Sequence, residues 1–341
     1  MSRVVIAPDK FRGTASADKV AGAMAAAGAR LGWHATVRPM SDGGEGFLDV
    51  AAGRCPSLVS TVVTGPDGRA VTADWRFGDG IAVVESARAS GLTVAGGAAG
   101  NDPVTATSRG TGELIVAAAR QVGRGGTVVV GLGGSATTDG GLGAVEAVGE
   151  TGALDGIELI GACDVDVGFA DAARRFGPQK GAGADQVAVL TERLVRLAQV
   201  YRDRYGIDVA SQPGAGAAGG LGGGILVLGG TLVSGFEMAS GLVDLSGALD
   251  GADGVVTGEG ALDATSFAGK LVGGVVGAAR ARGLPTLVVA GRSTRSGERR
   301  ARDAGCHVVS LTERFGPRQA VARTLSCISE VTAEWLDQAL R

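Results

Sequence analysis

The stretch TVVVGLGGSATTDGGL, residues 127–142, decides how the rest of the chain is read. Val128, Val129 and Val130 suit a strand covered on both faces. Gly131, Gly133 and Gly134 then allow a sharp turn and a close backbone approach to a ligand. Ser135, Thr137, Thr138 and Asp139 follow, and hydroxyl caps here would open a helix whose free N–H groups point at an anion. Strand, glycine turn and hydroxyls make a phosphate-binding candidate; a tight strand-to-helix turn that binds nothing is the bland reading of the same residues. A Walker A loop is excluded, because Lys180 is followed by Gly181 and Lys270 by Leu271. A dinucleotide fingerprint is partly matched by Gly131, Gly133 and Ala136, yet Gly140 and Gly141 interrupt the helix that such a motif should open.

At 341 residues the chain is long enough for about two domains. Its 45% apolar and 20% charged residues are those of a globular protein, whereas 61 glycines far exceed the average usage of about 7%. They fall between apolar runs, which marks ligand-approach loops and tight turns instead of a low-complexity tract. A net charge of -3 argues against nucleic-acid or membrane-surface binding, and the three tryptophans, Trp33, Trp75 and Trp335, make no base-stacking platform. Cys55, Cys163, Cys306 and Cys327 are widely spaced, suggesting neither a zinc site nor a disulfide framework, and a cytoplasmic location is expected. The N-terminus is not read as a signal peptide, and the apolar, glycine-rich residues 217–233 read as a buried loop and strand, not a membrane span.

Taken in order, residues 4–7 read as a strand, 8–16 as a loaded loop and 17–31 as a helix. Residues 35–39 give a second strand, ending in Ser41-Asp42-Gly43-Gly44-Glu45-Gly46. In open α/β sheets ligands sit beyond the carboxyl ends of strands, so these two loops can wall a site; Asp42 and Glu45 otherwise merely cap the helix from Phe47. From Leu58 the turns Pro66-Asp67-Gly68 and Gly78-Asp79-Gly80 mark an antiparallel meander. Another strand, 157–160, ends in Asp164 and Asp166, whose spacing can hold a divalent cation or can be two solvated turn acids.

Lys180 lies among small residues. Val187, Leu190, Leu194, Leu197, Tyr201 and Tyr205 recur at helical spacing as a core stripe. Residues 213–222 form a further candidate anion nest. Val255-Val256-Thr257 reads as a strand ending in Gly258-Glu259-Gly260, with Lys270 at a helix start and strands at 287–290 and 307–311. A C-terminal helix should turn Val321, Leu325, Ile328, Trp335 and Leu336 to the core. The expected fold is α/β in two domains. One is a doubly wound parallel sheet from both chain ends, residues 1–60 and 250–341; the other, residues 61–249, is inserted and carries the meander and glycine loops.

His34 and His307 are the only histidines and neither has a visible catalytic partner, which disfavours Ser–His–Asp or Cys–His chemistry. Backbone donors, hydroxyls, isolated lysines and acids instead suit phosphoryl transfer, which needs positioning and charge more than covalent chemistry. The ordered segments VVIAPDKFRG, SDGGEG, VTGPDG, VES at 84–86, TSRGTGEL from Thr107, GLGGSATTDGG, ACDVD, FGPQKGA, PGAGAAGGLG, VVTGEGALD and the AGK ending at Lys270 resemble those of the type I glycerate kinases and cover nearly the whole chain. The resemblance implies a flavodoxin-like domain with a second α/β domain inserted, a cleft between them, Mg2+ and ATP as cofactors, and phosphorylation of glycerate to 2-phosphoglycerate. Other readings are a kinase for a different hydroxy acid, a non-catalytic nucleotide- or metabolite-binding relative, and a dehydrogenase; a homodimer is left open.

Roles for individual residues follow as expectations. Gly133, Gly134, Ser135, Gly216, Gly219 and Gly220 should meet ATP phosphates; Asp164 and Asp166 should hold the metal, Asp164 also acting in catalysis. Lys180 should sit on transferring oxygens and Asp42 should orient the acceptor hydroxyl, while Lys10, Arg12, Glu45, Ser86 and Lys270 surround the acceptor. The chain departs from the family pattern at Lys10, where Ser is usual, and at Arg12, where Lys is usual. It departs also at Thr138 for Asn, at Val167-Gly168-Phe169 for Asn-Pro-Leu, at Ala261 for Arg and at Thr265 for Gln, and the segment between Glu150 and Cys163 is short. Since Arg clamps a carboxylate in a two-pronged way that Lys does not, a shifted acceptor preference is expected.

Overall fold

The computed structural model describes residues 2–267 and 270–339, so Ala268 and Gly269 of the AGK segment lie outside the described residues. Eleven strands are found among them: β1 (Arg3–Ile6), β2 (His34–Val37), β3 (Ser57–Thr64), β4 (Ala70–Gly78), β5 (Ile81–Glu85), β6 (Thr127–Gly131), β7 (Glu158–Ala162), β8 (Thr231–Val233), β9 (Gly254–Leu262), β10 (Thr286–Ser293) and β11 (His307–Ser310). They form two sheets in two compact units, one of Met1–Asp42 with Phe236–Arg341 and one of Gly43–Gly235.

The first unit carries the sheet β11-β10-β9-β1-β2 with every neighbour parallel. Read from the other edge this is the flavodoxin-like order, with the direction of winding reversing between β1 and β9. Such strands must be covered on both faces, which is why they read as valine and leucine runs. Val4, Ile6, Val256, Leu287 and Val289 pack with Val20 and Met24 of the helix Ala17–Arg30 and with Ile328 and Leu336 of the helix Thr324–Ala339. Alternate residues Val5, Val255 and Val288 are equally buried. The helix Leu271–Arg280 packs on β9 and β10.

In the second unit the order β3-β4-β5-β6-β7-β8 follows the chain, antiparallel through β5 and parallel beyond it. The β4–β5 hairpin closes through Asp79 and Gly80, both with positive φ (49° and 72°), as a two-residue turn matching the strands' twist demands. Trp75, Val84, Leu114, Val128, Val130, Leu159 and Ile225 build its core. A second cluster gathers Phe169, Leu190, Leu194 and Tyr201 beneath the helix Ala184–Tyr205. Residues 43–60 are tied into this unit: the N–H of Leu48 donates to the buried carboxylate of Glu85 at 2.9 Å, and β3 pairs with β4.

Several sequence expectations need correction. No helix follows directly on the Ser135–Asp139 hydroxyls; the next helix is Leu142–Gly149, entered through Gly141 at φ 74°. Residues 221–227 form a helix, not a loop, after a left-handed turn at Ala218, Gly219 and Gly220. Strand β9 continues through Gly258-Glu259-Gly260, which was expected to lie beyond the strand end. The C-terminal segment is two helices, Pro317–Ala322 and Thr324–Ala339, and Val321, Leu325 and Tyr205 are exposed instead of core.

Glycine in a helix ordinarily weakens it, so the helix Ala217–Val227 needs another reason for its composition. The reason is proximity: a Cβ on Gly222 would stand 2.5 Å from the carbonyl oxygen of Gly214, and one on Gly223 would strike the ring of Phe169 at 2.5 Å. Gly222→Ala should therefore destabilise the protein by about 1–3 kcal/mol through overpacking. Gly22→Ala, at an exposed helical position with nothing within 4 Å of the added carbon, should stabilise it by up to about 1 kcal/mol. Denaturant unfolding of the two variants checks the opposite signs.

Candidate active site

In the second unit, the candidate site is the loop that leaves β6. Its carbonyl groups are held in sequence: Gly133 by the hydroxyl of buried Ser86 (3.5 Å), Gly134 by the N–H of Leu92 (2.9 Å) and Ala136 by the side chain of Asn101 (3.1 Å). Asn101 also donates to the carbonyl of Lys180 at 2.9 Å. The Asp139 carboxylate accepts from the N–H and hydroxyl of Ser108 and from the N–H groups of Gly141 and Gly143, so it closes the far end of the loop. Among the described residues, the N–H groups of Gly133, Gly134 and Ser135 have no acceptor. Three consecutive free donors on an otherwise pinned backbone are the arrangement that an anion recruits.

Close backbone approach places this loop. A Cβ on Gly131 would lie 2.5 Å from the carbonyl oxygen of Gly43, one on Gly133 2.5 Å from Cα of Gly44, and one on Gly43 2.5 Å from the carbonyl oxygen of Ala162. Residues 43 and 44 of SDGGEG thus press on the carboxyl ends of β6 and β7, and Glu45 beside them is exposed. On another side, a Cβ on Gly219 would stand 1.9 Å from the carbonyl oxygen of Thr137 and one on Gly220 2.6 Å from Cα of Gly140. The N–H of Gly216 is committed to the carbonyl of Val167 (2.9 Å) and that of Gly220 to Gly216 (3.2 Å). At these two positions the glycines make room and do not offer donors.

Lys180 is 3% exposed, and its ammonium donates to the hydroxyl of Ser135 (2.8 Å) and the carbonyl of Thr137 (2.6 Å). It is therefore bonded into the loop that carries the free donors. Burial pulls its pKa down to about 7, against the opposing pull of Asp139. Asp164 follows β7, and its carboxylate accepts from the hydroxyl of Ser234 at 2.9 Å, while Asp166 is exposed. Among the described residues no three metal-ligating side chains gather. One or two carboxylates are what Mg2+ takes from a protein when substrate phosphates and water complete its shell, and the Asp164–Asp166 pair fits that lesser demand.

The first unit holds a separate group at the β1 and β9 exits. The Lys10 ammonium lies 3.4 Å from Asp42 and 3.8 Å from Asp9, joining the first loaded loop to the start of SDGGEG. Arg12 is exposed, and Gly260 of β9 packs against its backbone N–H. The ammonium of Lys270 donates to Thr265 at 2.9 Å, and Thr265 in turn donates to Asp263 at 2.6 Å. Glu259 was quoted only inside a motif, yet burial pushes its carboxyl up to about 7, reinforced by Asp9 and Asp263 and opposed by Ser266 and Lys270. Its position between two glycines on a strand whose preceding residues are all apolar or Thr was the available signal. Asp139 carries no assigned role in the sequence and Asn101 gives no signal there, since their work is done on backbone groups that sequence does not locate.

The sequence matches the glycerate kinase family over residues 4–153 and 150–337. It is 40% identical over 302 residues to an uncharacterized protein of Mycobacterium tuberculosis (strain CDC 1551 / Oshkosh), covering 85% of this chain and 79% of that protein. It is 37% identical over 331 residues to the glycerate 2-kinase of Escherichia coli (strain K12), covering 86% of each. A crystal structure assigned as glycerate kinase 2 from Salmonella typhimurium LT2 superposes with a TM-score of 0.81 at 28% identity, over 99% of this chain and 98% of that one. The dinucleotide alternative lacks its helix, for the loop after β6 runs to Gly141 before one begins. The parallel sheets, the pinned glycine loop and these matches along the whole length agree that the chain belongs to the glycerate kinase family.

Proposed function

We propose that the protein transfers the γ-phosphoryl group of ATP to the hydroxyl of a small hydroxy acid, glycerate first among them, to give 2-phosphoglycerate. The observation that carries this reading is the row of free N–H groups at Gly133, Gly134 and Ser135 on a loop whose carbonyls are tied down. Such donors are ready for phosphate oxygens without reorganisation. Gly216, Gly219 and Gly220 let the neighbouring backbone close on that loop, and Lys180 acts through it by holding Ser135 and Thr137. Asp164 and Asp166 would hold Mg2+, which when bound neutralises phosphate charge.

The acceptor's carboxylate finds its cations in Lys10, Arg12 and Lys270. Asp42 orients the hydroxyl with its ion pair to Lys10 fixing the carboxylate, and Glu45 and Ser86 contribute from the second unit, where Ser86 holds the Gly133 carbonyl. A cytoplasmic setting belongs to the same reading and is supported by four free, buried cysteines; burial raises the pKa of Cys55 and Cys306 to about 11, keeping both as thiols. The name of the Escherichia coli relative supports the acceptor and product.

Incubation with ATP, Mg2+ and D-glycerate should yield ADP and phosphoglycerate; ATP binding with no turnover of any hydroxy acid would instead favour a nucleotide-sensing relative. Asp42→Asn should lower kcat far more than it weakens ATP binding, and unchanged turnover would remove Asp42 from the mechanism. Across a panel of hydroxy acids, Arg12→Lys and Ala261→Arg should change the ranking by kcat/KM, because a polar group left without its partner discriminates by up to about 10⁴-fold. An unaltered ranking in both variants would make these departures neutral.

A further inference from the structure

The first unit's sheet reverses its winding between β1 and β9, and the residues leaving β1 are locked to the middle of β9. The N–H of Ala7 donates to Val256 (2.9 Å), the N–H of Asp9 to Gly258 (2.8 Å), and the hydroxyl of Thr257 to Ala7 (2.7 Å). A crevice at such a reversal is where open α/β sheets bind ligands. Glu259 extends β9 there, and the flanking positions are stripped of side chains. A Cβ on Gly258 would lie 2.2 Å from the carbonyl oxygen of Val289, and one on Gly260 3.0 Å from the N–H nitrogen of Arg12. The Oε1 atom of Glu259 is buried, and among the described residues it has no hydrogen-bond partner. A buried carboxylate oxygen without a donor is costly to keep, and a bound hydroxyl would satisfy it.

We infer that Glu259 is the base that takes the proton of the acceptor hydroxyl. The inference rests on the phosphoryl-transfer reading above and gives the acceptor site its proton acceptor. In the step, the acceptor oxygen bonds to the γ-phosphorus as the bond from that phosphorus to the bridging oxygen breaks; ADP leaves with the electron pair, and the hydroxyl proton passes to the Glu259 carboxylate and then to water. The groups facing Glu259 suit this task. Asp9 from the β1 exit and Asp263 beyond β9 are negative, Lys270 at the start of the helix Leu271–Arg280 is positive and bonded to Thr265, and Ser266 opposes the upward shift. On β10 the residue opposite is the uncharged Ala290, with Arg292 opposite Ala261. Burial and the two acids hold the carboxyl at about 7, where a base is strong enough to accept a proton and still ionised enough to do so.

The test compares pH profiles of kcat/KM for D-glycerate in wild type, Glu259→Gln and Asp42→Asn. Wild-type activity should fall tenfold per unit below an apparent pKa near 7. Glu259→Gln should lose roughly 10²- to 10⁴-fold and lack that limb, with the KM for ATP unchanged, whereas Asp42→Asn should be slower yet keep the limb. A limb that persists in Glu259→Gln, or undiminished turnover there, overturns the inference. Folding is followed independently. The raised pKa means that the folded protein holds more protons than the unfolded chain between 4.5 and about 7, so wild type loses stability as pH rises through that window. The Tm of Glu259→Gln should gain on wild type over that range and level off above it. If wild type phosphorylates no hydroxy acid, the proposed function fails on that count alone. Calorimetry of D-glycerate binding near pH 7, in buffers of different ionisation enthalpy, then separates the two failures: a proton exchanged by wild type and not by Glu259→Gln sustains Glu259 as the group that meets the acceptor hydroxyl, and equal proton counts overturn that as well.

Discussion

The second unit depends on backbone lying against backbone between residues 137–141 and the glycine helix at 217–227. Gly219 faces the Thr137 carbonyl and Gly220 faces Gly140, each at a separation that leaves no room for a side-chain carbon, and Gly224 packs tightly on Gly141. The loop after β6 keeps its course because of that approach, and so do the Ser135 hydroxyl and the Lys180 ammonium bonded to it. Tyr201 adds the last tie, donating its buried hydroxyl to the Gly140 carbonyl at 3.1 Å. Rigidity here comes from missing atoms. A loop held through its carbonyls still leaves the N–H groups of residues 133–135 without an acceptor among the described residues.

Both units place their polar residues at the carboxyl ends of parallel strands. Asp9 follows β1 and Glu259 stands in the carboxyl-terminal half of β9 in one unit, and Ser135 and Asp164 follow β6 and β7 in the other. Parallel strands all leave the sheet on the same side, so successive loops gather without any single segment being long. The unusual Lys10 fits this economy of placement. It stands within reach of two carboxylates from separate loops, Asp9 and Asp42, and so can fix both where a hydroxyl would carry no charge.

Much of this was legible in the sequence because strands covered on both faces must be apolar throughout. The valine run at 128–130, the runs at 255–256 and 287–289, and the turn residues of the meander therefore announced themselves. The helix at 217–227 did not, since intrinsic propensity opposes glycine and only the positions of Gly214, Phe169 and Gly141 explain it. The order of motifs carried the family, whereas the work of single polar groups stayed hidden. Lys180 looked like a cation in want of an anion, but its partners are a hydroxyl and a carbonyl that come close only after folding. Glu259 looked like a loop residue because glycines flank it, yet those glycines mark tight packing within a continuing strand.

The first unit's sheet joins segments 250 residues apart, as the Thr257–Ala7 hydrogen bond records. On the ribosome, β1 and β2 emerge early but must wait for β9, while residues 43–235 arrive as one uninterrupted stretch and can close first. At about 5–20 residues per second, the wait is roughly ten to fifty seconds. During it, β1 shows an apolar edge with no partner. The discontinuous unit thus makes vectorial synthesis a period of exposure, in which a chaperone able to shield an N-terminal strand would find its main opportunity.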